Sequence, residues 1–593
     1  MAATIIETDS RVPPYVGSVA NWSKRSLPST SCRNVKLSGA SNHQEKQATI
    51  LSRSSGVDAT EEVLEQHLPK PTLFNLLAFA ALCLSIFLVA LDTVLIPTAL
   101  PTIATSFHIP DALYAWVGSA YLLANAASVP FWGKISDIFG RKPIILIADA
   151  VFLVGSILCG ISGNAATLVT GRVIQGLGGG GVVVLVHICV SDTFGIRDRS
   201  FYIGTVGFIW ACASALGPVI GGIFAQFAGW RWCFFVNIPI ICTSLFTLYM
   251  CLDLHNPRTP LLAGLWSLDW LGASTVLTAA ILLLVGLQLG CTSSFTRPGV
   301  VVLILLGGLM TLVFSITQWW TEKNGRSPIL PLRIFKDISN MSALSVCACD
   351  ALAFNSVAYF LPIHFQIVLN LSPSATGIHM LAIAIPLATV SLASGYVIEK
   401  TGRFLEILQA GLLTMTIGIG LLVSLDVTHS MGKIIAILVV IGFGFGPNFG
   451  APLIALQTRV RDSDIATGTS AFGFVRMISG AIGVVVGQVV FQMMMSKRFN
   501  GLISAGIPED LAHRLASGEA LSLAPIVARL PDQQKLVVKN ELSSALSSTW
   551  IFYAVVSALG LFVSFGIKRT KLRRESECAT ELESVRSEVV CGK

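Results

Sequence analysis

The apolar residues of this chain come in blocks of about 20, the length at which an α-helix crosses the hydrocarbon core of a bilayer. Fourteen blocks are legible, at 74–97, 114–132, 144–162, 165–190, 201–226, 233–252, 268–289, 299–319, 341–362, 375–397, 405–425, 433–457, 467–494 and 548–567. Such a pattern leads to an all-α polytopic membrane protein. Composition agrees: charged residues make up 12% of the chain, against about a quarter in soluble domains, too few to cover a water-facing surface. The net charge of +7 is better placed in cytoplasmic loops than against a nucleic acid. The 13 cysteines are scattered, and Cys83, Cys159, Cys212, Cys347 and Cys349 fall inside apolar blocks. No CxxC pair of the metal-binding kind occurs, so buried thiols are expected, with no metal and no cofactor.

Lys and Arg in short loops set orientation. Fourteen lie in the even-numbered connections and three in the odd-numbered ones. The even loops and both termini are therefore expected in the cytoplasm. The organisation that follows is a disordered tail at 1–70, a six-helix half at 71–252, an inserted helix pair with linkers at 253–340 and a second six-helix half at 341–567. The second half includes a long external loop at 495–547, and a cytoplasmic tail occupies 568–593. The polar N-terminal stretch lacks the apolar core of a signal peptide.

An internal repeat supports the two halves. Gly133-Lys-Ile-Ser-Asp137-Ile-Phe-Gly140-Arg141 in loop two matches Gly395-Tyr-Val-Ile-Glu399-Lys-Thr-Gly402-Arg403 in loop ten, at a constant offset of 262 residues. Each copy joins the second and third spans of a six-helix set, and two like halves around a central path form a transporter plan. Gly133 and Gly140 permit tight turns and close backbone approach. Asp137, paired with Arg or a helix N-terminus, suits a charge network made in one gating state and broken in the other.

Polar groups inside the spans are costly, which makes them functional candidates. Arg172 lies about two turns into the fourth span with Gln175 one turn on, so both face one side. Asp350 is near the middle of the ninth span, Asp149 in the third and Arg476 in the thirteenth. A carboxylate without a counter-charge in hydrocarbon tends to take a proton, so Asp92, Asp149 and Asp350 are candidate proton carriers, with Arg172 biasing release. Gln175, Asn355 and Arg476 are candidates for the substrate path. His187 and His364 read as interfacial. In the fifth span, Gly217, Gly221 and Gly222 allow close helix packing and Pro218 invites a kink.

These motifs, in this order, resemble the major facilitator superfamily. The stretch Ala213-Ser-Ala-Leu-Gly217-Pro218-Val-Ile-Gly221-Gly222 is similar to the signature of its drug:proton antiporters. Asp92 to Pro101 resembles that group's first-helix signature and Trp230 to Pro239 its helix-six entry. The fourteen spans and Ser327 to Phe335 point to the fourteen-helix branch, and the serine-rich tail looks like fungal toxin and multidrug efflux members. Two departures stand out: Ala213 where the family has Gly, and Pro97 where it has a non-proline. The resemblance covers about residues 74–570. It implies a monomeric plasma-membrane carrier of two six-helix halves plus two extra helices. That carrier exports small amphipathic molecules in exchange for protons by alternating access. A vacuolar or plasma-membrane nutrient or siderophore carrier and a transport-inactive sensor share the fold. An enzyme is disfavoured: Gly178 to Gly181 lies inside a span with no preceding strand, so it is no phosphate loop.

Overall fold

The computed structural model describes residues 72–107, 111–254, 259–292, 295–425, 430–516, 526–527 and 529–572. The tail at 1–70 and most of 568–593 lie outside them. Fourteen long helical segments follow one another: α1 (Leu73–Phe107), α2 (Asp111–Phe139), α3 (Arg141–Gly160), α4 (Ala165–Thr193), α5 (Arg199–Ile223), α6 (Trp232–Cys251), α7 (Trp270–Thr292), α8 (Pro298–Lys323), α9 (Ile338–Ile363), α10 (Pro373–Thr401), α11 (Leu405–Leu422), α12 (Met431–Gln457), α13 (Ile465–Lys497) and α14 (Asp532–Ser564). No strand occurs among the described residues. Thirteen of these segments are long and apolar enough to cross a membrane. The fourteenth expected span is α2, whose polar Asn125 and Ser128 are buried.

Packing follows side-chain size. The glycine run of α4 lets two neighbours touch its backbone: a Cβ on Gly178 would stand 2.4 Å from the Phe152 nitrogen of α3, and one on Gly180 2.4 Å from the Asn125 carbonyl of α2. On the other side of the repeat, α9 packs on α13 and α14, and α11 on α12 and α14. The repeats meet through α5 with α10, α2 with α13 and α4 with α13. The inserted pair α7 and α8 pack on each other, and α7 also leans on α2 and α13. Much of α8 turns outward, with Leu305, Leu309, Leu312 and Ile316 exposed, as a lipid-facing surface requires.

Several boundaries differ from the sequence-based expectation. Both repeat motifs are largely helical rather than loops. Helix α2 runs on through Gly133 and Asp137 to Phe139, and α10 through Gly395 and Glu399 to Thr401. The turns come only at Gly140 (φ 96°) and Gly402 (φ 69°), where glycine accepts the left-handed region. Pro97 does not end α1, which continues to Phe107. The expected external loop at 495–547 is mostly helix: α14 starts at Asp532, and short helices occupy Phe499–Ser504 and Glu509–Ala516. After α14 the chain folds back, Leu572 N donating to the Gly402 carbonyl at 2.9 Å.

Candidate functional site

Arg172 is held on every side. It forms an ion pair with Asp92 of α1, with both side chains almost fully sealed, at 1% and 0% exposure. Its Nη1 also donates to Gln175 Oε1 at 2.7 Å and its Nε to the Val117 carbonyl at 3.1 Å. Gln175 Nε2 donates in turn to Ser156 Oγ at 2.9 Å. The guanidinium lies 4.3 Å from the centre of the Tyr121 ring, and Tyr121 donates to the Val89 carbonyl. A charge this deep survives only when paired and hydrogen-bonded. Four helices, α1 to α4, meet that demand together.

A second, looser pair lies in the other half. Arg476 Nη2 of α13 stands 3.7 Å from Asp350 Oδ2 of α9, with 17% of the Arg476 side chain exposed and 2% of Asp350. The guanidinium stacks 4.2 Å over Phe449. The third acid, Asp149, is fully buried and has no ion pair among the described residues; Ser85 Oγ donates to its Oδ2 at 3.0 Å, and Ser244 Oγ is 2.7 Å from Ser85 Oγ. The three acids share one feature. Among the described residues, the Oδ1 of Asp92, Asp149 and Asp350 is buried without a hydrogen-bond partner.

Hydrogen bonds that join the two halves gather at the end bearing the repeat motifs. Arg141 bridges Asp137 at 2.6 Å and Asp192 at 2.8 Å. Thr467 of α13 donates to Asp137 at 3.5 Å. A Cβ on Gly133 would come 1.8 Å from Ser470 Oγ, so α2 and α13 meet without room for a side chain. Arg197, buried in the connection before α5, donates to the Glu399 and Lys400 carbonyls at 2.6 Å each. Arg199 donates to Gln457 Oε1 at 2.9 Å, and Gln457 Nε2 donates to Ser191 Oγ at 2.9 Å. A Cβ on Gly395 would stand 2.6 Å from the Ser200 carbonyl of α5.

Residues 82–484 match the model of the Major Facilitator Superfamily. This chain belongs to that superfamily. Among its curated relatives, the efflux pump dotC of Dothistroma septosporum is 40% identical over 86% of this chain and 87% of its own length. An MFS-type transporter ppz2 of Metarhizium majus is 39% identical over 84% and 86%. The efflux pump FUS6 of Gibberella fujikuroi is 32% identical over 84% and 90%. In three dimensions the chain resembles the human transporter MFSD10 with a TM-score of 0.53 at 15% identity, covering 82% of this chain and 99% of that one, which bears on fold alone. The protein is thus an integral membrane transporter of small molecules, in a family of carriers rather than enzymes.

Within this facilitator fold the structure sorts the expected residues. It joins Asp92, Arg172 and Gln175 in one network and Asp350 with Arg476 in another. Asn355 is exposed on α9, its Nδ2 bound to the Ala351 carbonyl at 3.0 Å and pressed against Gly480. Gly217 meets α1, a Cβ there standing 2.4 Å from Val94 Cγ2; Gly222 faces open space, Gly221 is buried, and α5 passes through Pro218 to a π-turn at Phe224–Ala228. The two motif copies are not equivalent: Arg403 is exposed, whereas Arg141 is half-buried between acids. His187 sits on α4, its Nδ1 2.8 Å from the Val183 carbonyl. Arg197, Arg199 and Gln457 had been legible only as loop charges and a helix-end amide, since their partners lie over 200 residues away.

Proposed function

We propose that this transporter exports small amphipathic organic molecules, of the toxin or secondary-metabolite kind, in exchange for protons. The observation that carries the reading is the sealed Asp92–Arg172 pair beside Gln175, set in a protein whose halves interlock at one end. A proton taken by Asp92 cancels the attraction to Arg172, and loss of that proton restores it. The pair therefore has two states that differ in charge, and α1 packs on α5, which reaches the other half through α10. Protonation at one face and release at the other, with the interlock at Asp137, Arg197 and Arg199 opening and closing, is alternating access. The interlocked end is the cytoplasmic one in this reading, with both termini on that side, and the carrier works as a plasma-membrane monomer. The efflux pumps among the relatives support the direction of transport.

The test is uptake into inside-out vesicles holding the chain. An amphipathic fluorescent substrate accumulates when the lumen is acidic, and a protonophore abolishes accumulation. Equal accumulation with the gradient collapsed would remove proton exchange, and loss of counterflow as well would remove transport.

A further inference from the structure

Arg172 and Arg476 each face a buried acid, and only Arg172 uses its guanidinium fully. The Arg172 guanidinium is spent on Asp92, Gln175 and the Val117 carbonyl, out of reach of any solute. Arg476 differs. It is 17% exposed, its ion pair with Asp350 is stretched to 3.7 Å, and its bond to the Phe449 carbonyl is 3.4 Å long. A guanidinium offers five N–H donors in a planar fork, so these contacts leave much of the fork unspent.

What surrounds the fork is aromatic and comes from both halves. Arg476 stacks 4.2 Å over Phe449, and Phe449 lies 6.3 Å from Trp210 of α5 across the boundary between the halves. On the same boundary, α4 of the first half packs on α13, which carries Arg476. An arginine laid on an aromatic face is weakly hydrated and keeps its edge for a flat, doubly accepting anion. Neighbouring rings favour a flat aromatic body by offset stacking.

We infer that Arg476 selects the substrate of this transporter, and that the class it selects is a planar aromatic molecule bearing a carboxylate or ionised phenol. The inference rests on the transport reading above and narrows it. Asp350 then serves as a placeholder. It neutralises Arg476 in the empty carrier, and the incoming anion displaces it from a long, weak contact. Trp210 and Phe449 take the ring system, one from each half, so the bound substrate touches both bodies that must move.

The experiment measures binding apart from pumping. Purified full-length chain in nanodiscs is titrated with three probes on one ring system, anthracene-9-carboxylate, 9-anthracenemethanol and 9-(aminomethyl)anthracene, and tryptophan fluorescence is followed. Wild type binds the carboxylate more tightly than the amine by about tenfold, the scale of a charge-assisted contact. Arg476→Gln removes that preference while binding of the neutral alcohol holds, Arg476→Lys keeps part of it, and Asp350→Asn preserves or strengthens it. Equal or tighter binding of the amine, no binding of any probe, or an Arg476→Gln variant that weakens all three alike overturns the inference. Uptake into inside-out vesicles separates the two readings. Carboxylate bound with the expected preference but never pumped upholds the substrate class and refutes coupled export. Pumped amine with no preference for the carboxylate does the reverse.

Discussion

Arg172 concentrates the cost and the use of charge in this molecule. Truncating one member of a buried pair strands the other, which costs about 3–5 kcal/mol. Arg172→Ala is therefore expected to unfold at markedly lower temperature in detergent, as read by thermal denaturation, whereas Arg172→Lys keeps more of the stability and loses most of the transport. Lysine lacks the fork that reaches Asp92, Gln175 and the Val117 carbonyl together. A fully stable Arg172→Ala protein would show that the pair is not what holds α1 to α4. The sequence showed Arg172 and Gln175 on one helix face, because three-residue spacing is local. It did not show Asp92 as the partner, 80 residues away, since only tertiary packing brings them together.

At the scale of helices, the repeat motif works by contact as well as by charge. Gly133→Ala puts a methyl group where Ser470 Oγ already stands. It is expected to cut turnover severalfold at normal expression, measured as initial transport rate per molecule of protein. Asp137→Asn also slows turnover, because Arg141 keeps Asp192 but loses its nearer partner. Glu399→Gln is milder, since Arg197 takes the backbone carbonyls of Glu399 and Lys400, which the substitution keeps. Arg197→Ala is the severe change at that contact. A Glu399→Gln defect larger than that of Arg197→Ala would contradict this account of the latch. The constant offset between the motif copies was visible in the sequence, but their helical state was not. Glycine and polar residues read as a turn, and the packing that extends α2 against α13 and α10 against α5 is non-local. The early start of α14 was hidden likewise, because Asp532 to Ser548 is too polar to count as a membrane block.

For the molecule as a whole, block length and block number carried most of the architecture: every expected span has its helix. Orientation rests on loop charge and has its own check. In intact cells, a cysteine at Lys336 is expected to resist a membrane-impermeant thiol reagent, whereas one at Gln533 reacts; the reverse labelling would turn the protein over. Function was legible as a class, through motifs whose spacing survives in one dimension. The interlock and the two unlike acid–arginine pairs needed three. The central claim, that a proton on Asp92 drives substrate across, is met most directly by one comparison in inside-out vesicles, Asp92→Asn against wild type, with and without an acidic lumen. Asparagine fixes the uncharged state, so the account predicts that the variant still exchanges substrate down its gradient but accumulates none when the lumen is acidified. Full gradient-driven accumulation by Asp92→Asn would contradict it.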